Sequence, residues 1–100
     1  MAKGRILVVE DDRALAELLV YHFEREEFEV QTTPDGEDAL LMARESPPDL
    51  VILDWMLEGV SGIEVCRQLR RHPETANVPI IMLTARTLRR AGYRSPAATA

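Results

Sequence analysis

One hundred residues bound this chain to a single domain. With 46% hydrophobic and 29% charged residues it has the composition of a globular fold, and no apolar run approaches the roughly 20 residues of a membrane span. All 17 acidic residues and 8 of the 12 basic ones precede Arg86, so a body of charge −9 is followed by a tail of charge +4, and the acidic body is unsuited to nucleic acid.

The opening residues 1–5 lead into Ile6-Leu7-Val8-Val9, and Glu10 interrupts this run too soon for a signal peptide. Arg5 to Val9 is a strand apolar on both faces, ending in Glu10-Asp11-Asp12. Asp12 reads as an N-cap, because Leu15, Leu18, Leu19, His22 and Phe23 recur at helical spacing as one apolar stripe. Residues 28–32 are a short second strand, and Thr33-Pro34-Asp35-Gly36 turns into a helix that runs to about Arg44, burying Ala39, Leu40 and Ala43. Ser46-Pro47-Pro48-Asp49 stops it, because proline cannot continue a helix. Leu50-Val51-Ile52-Leu53 then forms a third strand, a continuous apolar run suited to a parallel sheet covered on both sides, and it ends in Asp54. After a loop over residues 55–60, Ser61-Gly62-Ile63-Glu64 matches a capping box, with Glu64 reaching back to the cap. The helix it opens carries Ile63, Cys66 and Leu69 inward, and residues 78–83 form a fourth apolar strand followed by Thr84-Ala85. The lone Cys66 excludes an internal disulfide, fits a reducing cytoplasm and reads as a small buried hydrophobe. Neither His22 nor His72 has a metal-spaced partner.

Strand and helix alternate throughout, which argues a doubly wound parallel sheet. In such a sheet the strand ends share one edge, where open α/β folds place their chemistry. If the strand order is 2-1-3-4, the ends of the first, third and fourth strands gather Glu10, Asp11, Asp54 and Thr84. Three carboxylates that close repel unless something neutralises them. Oxygen ligands without His or Cys favour Mg²⁺, which leaves positions for phosphate oxygens. A carboxylate beside that ion can act as a nucleophile towards phosphorus. Taken singly, each of these residues also fits a turn or a cap.

Ile6 to Asp12, Pro48 to Leu57, Gly59, Ser61-Gly62 and Val78 to Arg86 resemble, in order and spacing, the response-regulator receiver domain, with OmpR/PhoB-type transcription regulators the nearest likeness. The resemblance implies a flavodoxin-like fold of strand order 2-1-3-4. It implies that Asp54 is the phosphoacceptor for a sensor histidine kinase, making the chain a signalling domain that at most phosphorylates and dephosphorylates itself. Asp11, Asp54 and the backbone carbonyl of Met56 would ligate Mg²⁺, with Glu10 acting mainly through metal-bound water, and Thr84 would be the switch hydroxyl. Cytoplasmic residence follows from the same likeness.

The likeness spans about residues 3–86 and leaves 87–100 as a tail unlike the family, as where a reading frame has slipped or the sequence has been cut. A fifth strand and fifth helix are expected to be missing, together with the family's late lysine; Lys3 is the only lysine here, and Tyr93 lies outside the aromatic motif of the switch. Glu58 replaces the family's usual proline. The fourth strand then becomes an apolar edge, and a homodimer through that strand or the uncovered sheet face is expected. Two alternatives stand beside phosphoacceptance. One is a non-switching interaction fragment. The other is a Mg²⁺-dependent phosphohydrolase, disfavoured because Met56 holds the position where such sites place a second Asp.

Overall fold

Two short apolar runs, Arg5–Val9 (β1) and Leu50–Asp54 (β3), lie side by side at the centre of the molecule. The computed structural model describes residues 2–57 and 59–83. Around this central pair stand α1 (Arg13–Arg25), β2 (Glu29–Thr33), α2 (Gly36–Glu45), α3 (Gly62–Arg71) and β4 (Ile80–Leu83). The strand pairings among the described residues are all parallel, as the alternation of strands and helices argues, and the order is β2-β1-β3-β4, the one the family resemblance implies. The expectations for Glu58, Thr84 and the stretch after it, including the missing fifth strand and helix, lie outside the described residues.

Alternation along the central strands divides the core into two layers. Leu7, Val9, Val51 and Leu53 face α2 and α3, where they meet Ala39, Ala43, Val65 and Leu69. Ile6, Val8 and Ile52 face the opposite way, under Leu19 and Phe23 of α1. Burying such aliphatic side chains contributes roughly 1.5–3 kcal/mol each. None of the described helices is long and apolar enough to cross a membrane.

The expected caps form. Asp12 Oδ1 accepts the Leu15 N–H at 3.2 Å, and Ser61 Oγ accepts the Glu64 N–H at the same distance. The returning half of the capping box does not form, because the Glu64 carboxylate accepts from Arg67 Nη1 and Gln68 Nε2 further along its own helix. At the far end of α1, Glu27 stands at φ +71°, and the N–H groups of Phe28 and Glu27 donate to the carbonyls of Phe23 and Glu24. That is a Schellman closure with a non-glycine residue in the left-handed position, sealed by edge-to-face packing of Phe23 on Phe28. Three inward placements differ from the sequence pattern. Leu18 is 51% and Ile63 45% exposed, and His22 is exposed, because one layer of sheet accepts a narrower arc of each helix than the apolar residues span.

Candidate functional site

The register fixes where the polar strand ends meet. Val9 of β1 pairs with Leu53 of β3, so Glu10 and Asp54 emerge side by side at the carboxyl edge. Glu10 is held there by its N–H, which donates to the Thr33 carbonyl at the end of β2. Its Oε2 accepts the Asp12 N–H at 2.8 Å, which turns the side chain inward over the sheet edge. Asp11 follows, while Asp12 is spent on capping α1. Carboxylate oxygens of Glu10, Asp11 and Asp54 lie within 4.8 Å of one another. Glu10 and Asp54 are almost wholly buried, at 2% and 1% exposure.

This is an unfavourable arrangement for carboxylates alone. Burial pushes Glu10 from an ordinary 4.5 up to about 7, and the facing carboxyl of Asp54 and the charge of Asp11 push the same way against the Asp12 N–H. Glu10 Oε1 is buried with no hydrogen-bond partner. An orphaned buried oxygen among crowded carboxylates is what a hard divalent cation satisfies, and the all-oxygen donor set fits Mg²⁺.

The loop after β3 completes the edge. Asp54 Oδ1 accepts the Met56 N–H at 3.0 Å, folding the chain back over the carboxylate. Trp55 extends the ladder by donating its N–H to the Leu83 carbonyl, and its side chain stays 40% exposed. Leu57 anchors the loop in the core, and Gly59 turns it at φ +80°. A groove of about 660 Å³ adjoins the cluster, shares Glu10 and Asp11 with it, and runs over Ala16, Val20 and Tyr21 of α1 to Pro34.

The expected carboxylates Glu10, Asp11 and Asp54 thus come together, and Met56 adjoins them through its backbone. Thr84 lies outside the described residues; Leu83, before it, pairs with Asp54. One contact the motif spacing did not single out is Gly62, whose N–H donates to the Trp55 carbonyl at 3.1 Å and which leaves no room for a β-carbon against the backbone of Asp54.

A parallel α/β sheet with three acidic groups at the carboxyl ends of β1 and β3 defines a fold with an acidic, cation-ready edge, and comparison with known proteins specifies the family. The model of the response regulator receiver domain matches residues 6–94. The phosphate regulon transcriptional regulatory protein PhoB of Rhizobium meliloti is 60% identical over 82 residues, 82% of this chain and 36% of that protein. The DNA-binding response regulator MtrA of Mycobacterium tuberculosis H37Rv is 52% identical over 85 residues, 85% of this chain and 36% of that protein. The receiver domain of the sensor histidine kinase PA1611 from Pseudomonas aeruginosa, solved with a magnesium ion in its active-site cleft, superposes with a TM-score of 0.81 at 29% identity, covering 87% of this chain and 71% of that one. The chain belongs to the response-regulator receiver family of two-component systems, with relatives of the OmpR/PhoB type, and it spans about a third of the length of the curated relatives it matches.

Proposed function

We propose that Asp54 accepts a phosphoryl group from a phosphohistidine of a sensor histidine kinase, in a cytoplasmic phosphorelay that controls transcription. The observation that carries this reading is the buried cluster Glu10, Asp11 and Asp54, with its unpartnered Glu10 oxygen. Glu10, Asp11, Asp54 and the backbone carbonyl of Met56 would hold Mg²⁺, which supplies charge neutralisation at the transferring phosphoryl oxygens. The magnesium ion in the PA1611 receiver supports that assignment.

An Asp54 carboxylate oxygen forms the new P–O bond as the P–N bond of the phosphohistidine breaks. The electron pair of that bond goes to the leaving imidazole nitrogen, which takes a proton from water. The Met56 N–H, already on Asp54 Oδ1, fixes the rotamer of the nucleophile. Glu10, turned inward by the Asp12 N–H, presents a carboxyl group at the deep side of the cluster that a bound cation would hold deprotonated. Thr84 is the proposed switch hydroxyl, residues 1–86 the receiver unit and 87–100 a separate tail. A homodimer through β4 belongs to the same reading, because Ile81 is 51% exposed on a strand that pairs only with β3 among the described residues.

Incubation with acetyl phosphate and Mg²⁺, read by intact mass, tests the proposal. One phosphoryl group gained, and none in Asp54→Ala, is the expected result; no gain in the unaltered chain overturns it. A second reading, a metal-binding interaction fragment that does not switch, draws on Lys3. It is the only lysine of the sequence, and its N–H donates to the Glu27 carbonyl at the amino edge, opposite the cluster. Mg²⁺ binding without phosphoryl gain would select it.

A further inference from the structure

The start of α3 is seated directly on the backbone that carries the acidic nucleophile. A β-carbon added to Gly62 would lie 2.4 Å from the Asp54 carbonyl oxygen, 2.8 Å from Trp55 Cα and 3.1 Å from the Asp54 carbonyl carbon. The shortest of these is about an ångström inside ordinary contact, and all three neighbours are main chain, which cannot swing aside as a side chain can. The same glycine also holds that main chain by a hydrogen bond, donating its N–H to the Trp55 carbonyl at 3.1 Å. Asp54 and Trp55 are also fixed across the sheet, since Asp54 pairs with Leu83 and the Trp55 N–H donates to the Leu83 carbonyl. The peptide between them is thus clamped between β4 and the first residue of α3.

From this we infer that Gly62 is a positioning residue: the absence of its side chain sets the depth at which the Asp54–Trp55 peptide sits, and through it the aim of the Asp54 carboxylate and of the Met56 backbone. The inference rests on the proposed phosphoacceptor role of Asp54. Ser61 contributes by capping the helix start, so the register of α3 is fixed at its first turn.

Gly36 supplies the matched control. It too opens a helix in the same layer, and a β-carbon there would lie 2.7 Å from Val65 Cγ2, a side-chain atom, and 3.4 Å from Val60 Cβ and the Val60 carbonyl oxygen, with no atom of Asp54 or Trp55 among these nearest neighbours. Both glycines are therefore tight, and only Gly62 is tight against the main chain of Asp54 and Trp55.

The experiment compares Gly62→Ala and Gly36→Ala in the full chain. Mg²⁺ affinity is read from the fluorescence of Trp55, the only tryptophan and a neighbour of the cluster, phosphoryl gain from acetyl phosphate by mass, and stability by thermal unfolding. Gly62→Ala is expected to weaken Mg²⁺ binding about tenfold and to slow phosphoryl gain by on the order of tenfold to a hundredfold, the scale of an ångström's misplacement. Gly36→Ala is expected to lose stability with Mg²⁺ affinity unchanged. Equal Mg²⁺ affinity in Gly62→Ala and the unaltered chain overturns the inference, as does an equal loss in both variants. If Gly62→Ala does not fold, Ser61→Ala loosens the helix start without adding an atom to the contact; a severalfold weaker Mg²⁺ affinity supports the inference and an unchanged one overturns it. Failure of the unaltered chain to gain a phosphoryl group would instead count against the proposed function, leaving the Mg²⁺ comparison to decide the role of Gly62.

Discussion

At the amino edge of the sheet, the charged groups of Arg5 and Asp49 are each met by hydrogen bonds. The Arg5 guanidinium donates to Ser46 Oγ and to the Pro47 carbonyl, and the Arg5 N–H donates to Asp49 Oδ2 at 2.7 Å. The Asp49 N–H returns a bond to the Arg5 carbonyl. At the carboxyl edge three carboxylates crowd together, two of them buried, and one oxygen has no partner. The same strands thus end in a satisfied network on one side and an unsatisfied one on the other. A fold gains nothing in stability from the second arrangement, so it marks where the chain gives up stability for chemistry.

The sharpest way to break this contrast is at Asp54. Asp54→Asn should abolish phosphoryl gain by intact mass while making the Mg²⁺-free protein more stable, by about 1–2 kcal/mol in thermal unfolding, because it relieves like-charge repulsion. Loss of stability would mean that the carboxyl edge is not strained. Mg²⁺ should act in the same direction without mutation. At a hundred times its dissociation constant it should add about 2.7 kcal/mol to stability, reversed by chelation.

Proton binding offers a third measurement. Glu10 has a pKa of about 7 in the folded protein against an ordinary 4.5, so the native state holds the extra proton between these values. Stability without Mg²⁺ should therefore fall as pH rises from 4.5 towards 7, by on the order of 3 kcal/mol, and level off above that window. The cost is absent below 4.5 and fully present above 7. Melting temperatures of the unaltered chain and Glu10→Gln across this range should converge at low pH and separate as pH rises.

The amino edge should respond in the opposite sense. Arg5→Ala should cost about 1 kcal/mol of stability through its lost hydrogen bonds and leave Mg²⁺ affinity unchanged. The smallest effect concerns Glu27, also at that edge. Glu27→Gly should stabilise by about 0.5–1 kcal/mol, as glycine takes the left-handed position of the Schellman closure without strain.

The carboxyl edge was legible in the sequence because its signals are binary. Apolar runs apart in the sequence each stop at a carboxylate, and parallel strands must bring such stops to one edge. Glu10, Asp11 and Asp54 needed only that rule and the neighbouring placement of β1 and β3. What was illegible depends on distances of a few tenths of an ångström. Nothing in the spacing distinguishes a buried Glu10 with an orphaned oxygen from an exposed one, because its inward turn depends on the Asp12 N–H. Gly62 reads as the second residue of a cap motif, and only the approach of α3 to the Asp54 carbonyl gives it another meaning. Leu18 and Ile63 show the converse limit: periodicity places a residue on the apolar side of a helix, and the width of the facing sheet decides whether it is covered.

The position of β1 between β2 and β3 has a consequence for the chain as it is made. Its partners occupy residues 29–33 and 50–54, so this apolar central strand is synthesised before both of its neighbours and gains the second of them only after residue 54. At ribosomal speeds of about 5–20 residues per second, Ile6-Leu7-Val8-Val9 waits several seconds for its second neighbour. During that interval a short β-prone segment with no proline is available to any nascent chain alongside it. Production of this domain should therefore be sensitive to translation rate and to chaperones that shield extended apolar segments, independently of the stability of the finished fold.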